Sequence, residues 1–412
     1  MNRTIKIVLL SLTVLLFEGA ASSRAGDWPQ FLGPNRNGVS NEKDLIKTWP
    51  KEGPKVLWQR DVGVGYSGPA VSEGCLILFH RLDDKEVVEA LDSETGKNRW
   101  SFSYDTNYQD DLGKGDGPRS TPILSGGFVY ALGAEGMLHC LELKTGKQVW
   151  NRALAQDYPF RKGFFGVATS PIIEGDALVV NVGAKGAGIV ALDKKTGKEL
   201  WKATNQEASY SSPVSATIDG ARHLIFFTRE GLVSLDPANG KVRFSKRWRS
   251  RMAASVNAAT PVVVDDQIFL SACYGTGAVL LKVTKDEPEE IWKGDETLSN
   301  HYDTSVHNAG FLYGLDGRQE QGAQLRCVEI KTGKVEWTQK DFGCASLILA
   351  DGRFFALTEN GDLVLFEANP KAYRELARAA VITGPCRSPL ALANGRLYGR
   401  DGKKLVCWDI RK

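Results

Sequence analysis

The 412-residue sequence holds only five histidines and three methionines, and its seven cysteines include neither an adjacent pair nor a C-x-x-C. The missing C-x-x-C removes zinc-knuckle, thioredoxin-like and haem-attachment chemistry. An odd number of cysteines leaves at least one thiol unpaired even in an oxidising compartment. No Ser lies in G-x-S-x-G, so an esterase elbow has no support. An excess of one charge is missing too: 52 Lys and Arg against 49 Asp and Glu leave +3, which offers nucleic acid no electrostatic footprint. The apolar run Ile7 to Phe17 is too short to span a bilayer.

That run reads as the core of a leader. Arg3 and Lys6 precede it, and small residues from Ala20 to Ala25 follow it, which predicts a signal peptide over 1–25 and cleavage before Gly26. The product is expected to be exported, periplasmic or extracellular, with no transmembrane segment after cleavage. No Cys follows the run, so lipid anchoring is not expected.

What the chain does have is glycine, 43 residues of it, and a repeat. A-L-D-S-E-T-G-K-N-R-W from Ala90, C-L-E-L-K-T-G-K-Q-V-W from Cys140, A-L-D-K-K-T-G-K-E-L-W from Ala191 and C-V-E-I-K-T-G-K-V-E-W from Cys327 align without gaps. S-L-D-P-A-N-G-K-V-R-F from Ser234 is a fifth copy. Alternating residues, then T-G or N-G with its permitted positive φ, then a strand ending in a large aromatic, describe a β-hairpin. A second marker, a small residue before Pro and an apolar run, ends at Pro69, Pro122, Pro171, Pro213, Pro261 and Pro389, with weaker copies at Val306 and Leu347. Successive copies lie 41 to 53 residues apart, room for eight units of four short strands.

The last unit stops before its aromatic strand, whereas P-K-V-L-W-Q-R-D-V from Pro54 is such a strand with no hairpin of its own. The sequence therefore predicts an all-β, eight-bladed β-propeller over 54–412, closed by the N-terminal strand completing the last blade, behind an extension over 26–53. The expected structural docking positions are Trp58, Trp100, Trp150, Trp201, Phe244, Trp292, Trp337 and Leu376. The units ending at Trp292 and Leu376 depart from the pattern, and 372–380 is open to a helical turn.

The A-x-D…T-G-K…W segments resemble the tryptophan-docking repeats of the pyrroloquinoline-quinone-type propellers, and the likeness runs from Pro54 to Lys412. The segment D-W-P-Q-F-L-G-P-N-R-N-G-V-S from Asp27 is similar to the N-terminal motif of exported members of the group. The resemblance implies either of two activities. One is that of quinoprotein dehydrogenases, which have a calcium site beside the quinone, an adjacent Cys-Cys and a catalytic Asp. The other is that of a propeller subunit of the outer-membrane β-barrel assembly machine. No residue here matches the catalytic Asp, and the Cys-Cys is absent.

In repeat register, the residues ringing one channel mouth are Tyr66, Arg119, Ala168, Tyr210, Ala258, Asp303, Cys344 and Cys386. Of these, Tyr66, Arg119, Tyr210 and Asp303, with nearby Arg387, have the chemistry to hold an anionic or polar ligand or a partner. Loops on the same face carry Phe164 and Phe165, and Arg247, Trp248 and Arg249, the aromatic-plus-arginine composition of protein interfaces. The acidic loop 101–118 fails the calcium-loop pattern and reads as solvated, and His301 and His307 read as the two ends of one extended strand. No metal site is assigned. The expected function is a non-enzymatic protein-binding or scaffold module of the cell envelope, partnered by an envelope protein or polymer and needing no cofactor. The alternative is a quinoprotein oxidoreductase using pyrroloquinoline quinone with calcium.

Overall fold

The computed structural model describes residues 26–412 apart from 114, 285 and 286; the expected leader lies outside the described residues. Eight antiparallel four-stranded sheets follow one another along the chain as blades 1 to 8, at 70–105, 123–153, 172–203, 214–247, 262–294, 306–339, 345–380 and 391–409. Blade 8 takes its fourth strand, Val56–Asp61, from near the N-terminus, where Trp58 pairs with Cys407. A ring closed in this way has no open sheet edge at the seam. The helices among the described residues are the single turns Leu154–Asp157 and Gln319–Gln321.

Each repeat aromatic stands on its blade's outermost strand, opposite the first residue of its own hairpin: Trp100 with Ala90, Trp150 with Cys140, Trp201 with Ala191, Phe244 with Ser234, Trp292 with Leu280 and Trp337 with Cys327. The strand register slips by one residue beside every one of these pairs, a bulge that aims the ring at the next blade. There the indole Nε1 of Trp58, Trp100, Trp150, Trp201, Trp292 and Trp337 donates to a turn carbonyl, those of Ser93, Leu143, Lys194, Pro237, Ile330 and Asn369, at 2.8–3.2 Å. The ring covers the turn glycine, which is left-handed (φ 68–72°) at 96, 146, 197, 240 and 333, so a Cβ there would strike the indole as well as strain the backbone.

Two local expectations are corrected. Residues Glu375–Ala380 form a strand rather than a helical turn. The docking position of blade 7 is held by Ala377, opposite Leu365, not by Leu376. Its hairpin turn carries Asn369 and Pro370 in place of T-G, and that longer connection moves the bulge by one residue.

The small-residue-then-Pro step has a second use. Backbone N–H groups of Gly68, Thr121, Ser170 and Thr260 donate to the hydroxyls of Thr121, Ser170, Ser212 and Thr304 in the following blade, and Leu390 donates to Ser346 in the preceding one, all at 2.9–3.2 Å. These hydroxyls tie neighbouring innermost strands where the blades are closest and side chains must be small.

Residues 27–40 cross the channel as a strap. Trp28 is buried and exchanges two backbone hydrogen bonds with Val71 of blade 1, and Pro29 accepts from Leu124 of blade 2. The Arg36 guanidinium reaches the carbonyls of Ser170 and Pro171 in blade 3 at 3.1 and 2.8 Å. Val39–Ser40 then adds a parallel fifth strand to blade 7. The strap enters from the face that carries the T-G-K turns, called here the turn face. The opposite, loop face holds the longer connections between blades.

Candidate functional site

The chain reverses at the end of each blade, so the connection before every innermost strand returns to the loop face. Tyr66 is flanked there by two guanidinium groups, with the Arg119 Cζ at 5.3 Å and the Arg387 Cζ at 5.8 Å from its ring centroid. Arg119 also lies 5.2 Å from the Phe165 ring, donates to the Phe165 carbonyl at 3.1 Å and pairs with Asp110 at 2.5 Å. Phe165 in turn packs against Tyr210 with the rings tilted by 59° and centroids at 5.4 Å, and its N–H donates to the Tyr210 hydroxyl at 3.1 Å. The expected ring members Tyr66, Arg119, Tyr210 and Arg387 are thus joined, with Phe165, into one arc.

Asp303 takes a different position. Its carboxyl is buried below the rim, with Oδ2 lacking a hydrogen-bond partner, and burial pushes its pKa up to about 8. It lines a chamber of about 50 Å³ at the channel side of blades 6, 7 and 8, called here the axial chamber, with Arg387, Thr304, Ser346, and the strap residues Phe31 and Leu32. Arg387 pairs with Glu359 at 2.6 Å, and the Tyr302 hydroxyl donates to the same carboxylate at 3.2 Å. Cys344 and Cys386, in register in neighbouring blades, are both buried free thiols.

The acidic loop departs from its expected solvated state. The Asp110 side chain is buried against Arg119, and Asp116 accepts from the Asp110 N–H at 2.8 Å, so this loop braces the arc. His301 and His307 do not share a strand. His301 lies in a bend with Nε2 2.9 Å from the Tyr274 hydroxyl, whereas His307 is on Val306–Asn308 and accepts from the Gly310 N–H. Among the described residues no three His, Cys, Asp or Glu side chains gather as metal ligands.

A concavity opens off-axis on the loop face, over blades 2, 3 and 4. It is a cleft of about 800 Å³ with Phe160, Phe164, Val182, Ala184, Tyr210 and Val256 in its walls. Basic groups edge it: Lys162, paired with Asp111 at 2.8 Å; Arg229, paired with Glu207 at 3.2 Å; and Arg161 and Lys185, which are exposed and make no ion pair among the described residues. Phe164 and Phe165 therefore separate in role, one in the cleft wall and the other in the arc. The second candidate loop turns inward. Trp248 packs against the apolar core between blades 4 and 5, Arg249 is largely covered and pairs with Glu230 at 2.7 Å, and only Arg247 stays mostly exposed, on the same Glu230. The loop's carbonyl at Trp248 is held by Asn257, whose own carbonyl accepts from the Tyr210 and Ser211 N–H groups, so it supports the cleft from behind.

Sequence periodicity gave no sign of the cleft, because its walls come from three blades at positions outside the repeat. The hydroxyl ties were visible as recurring Ser and Thr before Pro, a signal readable only once blade adjacency is known. A tricyclic quinone with calcium does not fit the axial chamber. Ligand pockets of that size class run to roughly 300 Å³ or more, whereas about 50 Å³ remains beside Phe31 and Leu32.

The family model described as outer membrane protein assembly factor BamB matches residues 38–156 and 83–339. The outer membrane protein assembly factor BamB of Burkholderia pseudomallei is 28% identical over 295 residues, covering 69% of this chain and 72% of that one. The crystal structure of BamB from Moraxella catarrhalis superposes with a TM-score of 0.65 at 15% identity, covering 86% of this chain and all of that one. The quinohemoprotein alcohol dehydrogenase of Comamonas testosteroni shares the fold, at a TM-score of 0.56 and 15% identity over 95% of this chain and 81% of that one. With its eight blades, six of them docked by an indole, and a family match spanning most of its length, the chain belongs to the outer membrane protein assembly factor BamB family.

Proposed function

We propose that this chain is an exported, non-enzymatic protein-binding module that serves outer membrane protein assembly in the cell envelope, and that its loop-face cleft is where a protein partner docks. One observation carries the reading: the cleft of about 800 Å³ combines aromatic and aliphatic walls with a basic edge. Buried aromatics beside arginines are the composition of interface hot spots, in which a few anchored side chains supply most of the affinity. Phe164 and Tyr210 are the proposed anchors. Arg161 and Lys185 steer an acidic or polar partner surface toward them. Arg119, Tyr66, Phe165 and Arg387 hold the adjoining rim, and Arg247, Trp248 and Arg249 brace its far side.

Family membership and the relatives' role as outer membrane protein assembly factors support this reading, as does the mismatch between the axial chamber and a quinone. The test is an exchange of Phe160 and Phe164 for Asp in the full chain. That variant should keep its melting temperature yet fail to be co-isolated with outer-membrane assembly proteins that accompany the unaltered chain. Undiminished co-isolation by a folded variant would overturn the cleft as the docking site.

A further inference from the structure

The turn-face mouth of the channel is recognised by the chain's own strap largely through main-chain atoms. Trp28 and Val71 exchange hydrogen bonds at 2.9 and 2.8 Å, the Leu124 N–H donates to the Pro29 carbonyl at 2.8 Å, and the Leu349 N–H donates to the Gly38 carbonyl at 2.8 Å. Arg36 is the strap's deepest charged group. It is buried, donates to two carbonyls of blade 3, and lies 5.9 Å from the ring of Phe31. A buried guanidinium is costly unless its donors are satisfied, and burial pulls this one's pKa down to about 9. Its Nε has no partner, and the contacts of its two terminal nitrogens with blade 3 fix where the guanidinium sits. Gly33 and Gly38 allow the close passage, since a Cβ at Gly33 would meet the Trp28 ring and one at Gly38 would meet Val306.

We propose that this mouth is a peptide-binding site and that residues 27–40 are its resident ligand, a plug that leaves the channel a blind well open only at the loop face. The recognised chemistry is an extended segment with an indole near one end and a guanidinium eight residues on. The innermost strands of blades 1, 2 and 7 supply the backbone partners, and blade 3 supplies the carbonyl pair for the guanidinium. The plug is intramolecular, so its local concentration is high and it closes the mouth without a strong intrinsic affinity. The proposal is independent of the partner-docking reading, because its site lies on the opposite face.

Cys386 reports on the plug, since it lines the axial chamber beside Phe31 and Leu32 and is buried in the plugged state. In the full chain carrying Trp28→Ala and Arg36→Met, Cys386 should react with a small methanethiosulfonate reagent faster by roughly tenfold or more, as expected when the packing of a buried indole and the hydrogen bonds of the guanidinium, which help hold a local structure shut, are lost. A synthetic peptide of residues 27–40 added in trans should return the rate to near that of the unaltered chain. Cys140, in the core between blades 2 and 3, and Cys273, which donates to the Ser299 carbonyl, are buried in groups that include no strap residue and should stay protected throughout. If they become labelled, the double variant has unfolded, and Arg36→Met alone is then read in the same assay. An unchanged Cys386 rate in a folded variant, or a raised rate that the peptide does not suppress, would overturn the proposal.

Discussion

Trp58 and Cys407 lie side by side on adjacent strands of blade 8, one from near the start of the described chain and the other five residues from its end. The Trp58 ring lies 6.0 Å from that of Tyr398 and donates at 3.2 Å to Ser93 in blade 1, so one indole both completes the last blade and fastens it to the first.

Removing that indole should therefore weaken the whole ring. Trp58→Ala is expected to lower unfolding free energy by about 3–5 kcal/mol, measured by denaturant titration, as for other large-to-small changes at packed aromatics. Trp58→Phe keeps most of the packing and loses the N–H donor, a loss of about 1 kcal/mol. Equal losses for the two would show that the hydrogen bond rather than the packing dominates.

Two buried groups give stability opposite dependences on pH. His80 accepts from the Gly63 N–H, and burial, together with Arg400 and Arg60, pulls its pKa down to about 3. Between about 3 and 6.5 the unfolded chain binds a proton there and the folded chain does not, so this group makes stability rise with pH. For Asp303, raised to about 8, the folded chain holds the extra proton from 3.8 to about 8, and stability falls across that window. Above 6.5 only the Asp303 contribution remains of the two. Asp303→Asn should flatten the decline between pH 6.5 and 8, measured by thermal unfolding at fixed ionic strength; an unchanged slope would assign it to other groups.

Pyrroloquinoline quinone with calcium should show no saturable binding to the unaltered chain by fluorescence titration, and no dye reduction with alcohols or aldose sugars. The chamber beside Phe31 and Leu32, at about 50 Å³, is smaller than the roughly 300 Å³ or more of pockets that hold such a ligand. Stoichiometric binding with turnover would restore the oxidoreductase alternative.

Arg119 ties the acidic loop to the aromatic rim, because it touches Asp110, Phe165 and Tyr66 together. Arg119→Met should leave the fold intact and speed proteolysis within 106–118, since breaking a buried ion pair leaves Asp110 uncompensated. Unchanged cleavage rates would show that the loop stands without the pair.

The parts of the fold that were legible in the sequence are those whose chemistry is local and repeated. Lys97, Lys147, Lys198 and Lys334 follow a turn glycine and precede a docking Trp in the same spacing, so four copies state one hairpin four times. Blade 7 misled by one residue because Asn369 and Pro370 replace that turn and nothing in the composition fixes where the bulge falls. The strap was legible only as a motif. Its contacts run through the backbones of Val71, Leu124 and Leu349, which carry no side-chain signature and belong to three different blades. For the site, register put Tyr66, Arg119, Tyr210 and Arg387 on one face, where the structure joins them through Phe165 into one arc, since a repeat fixes which face a residue occupies. It does not fix direction: Trp248 and Asp303 share that face of the fold yet point into its interior, where apolar neighbours and the strap surround them.

The most direct measurement is site-specific photo-crosslinking in intact cells, with benzoylphenylalanine placed at Phe164 in the cleft wall or at Lys331 on a turn-face hairpin. The proposed function predicts a discrete protein adduct from position 164, abolished when Arg161 and Lys185 are changed to Glu, and none from position 331. Adducts that arise equally from both faces, or from the turn face alone, would contradict the cleft as the working surface of this propeller.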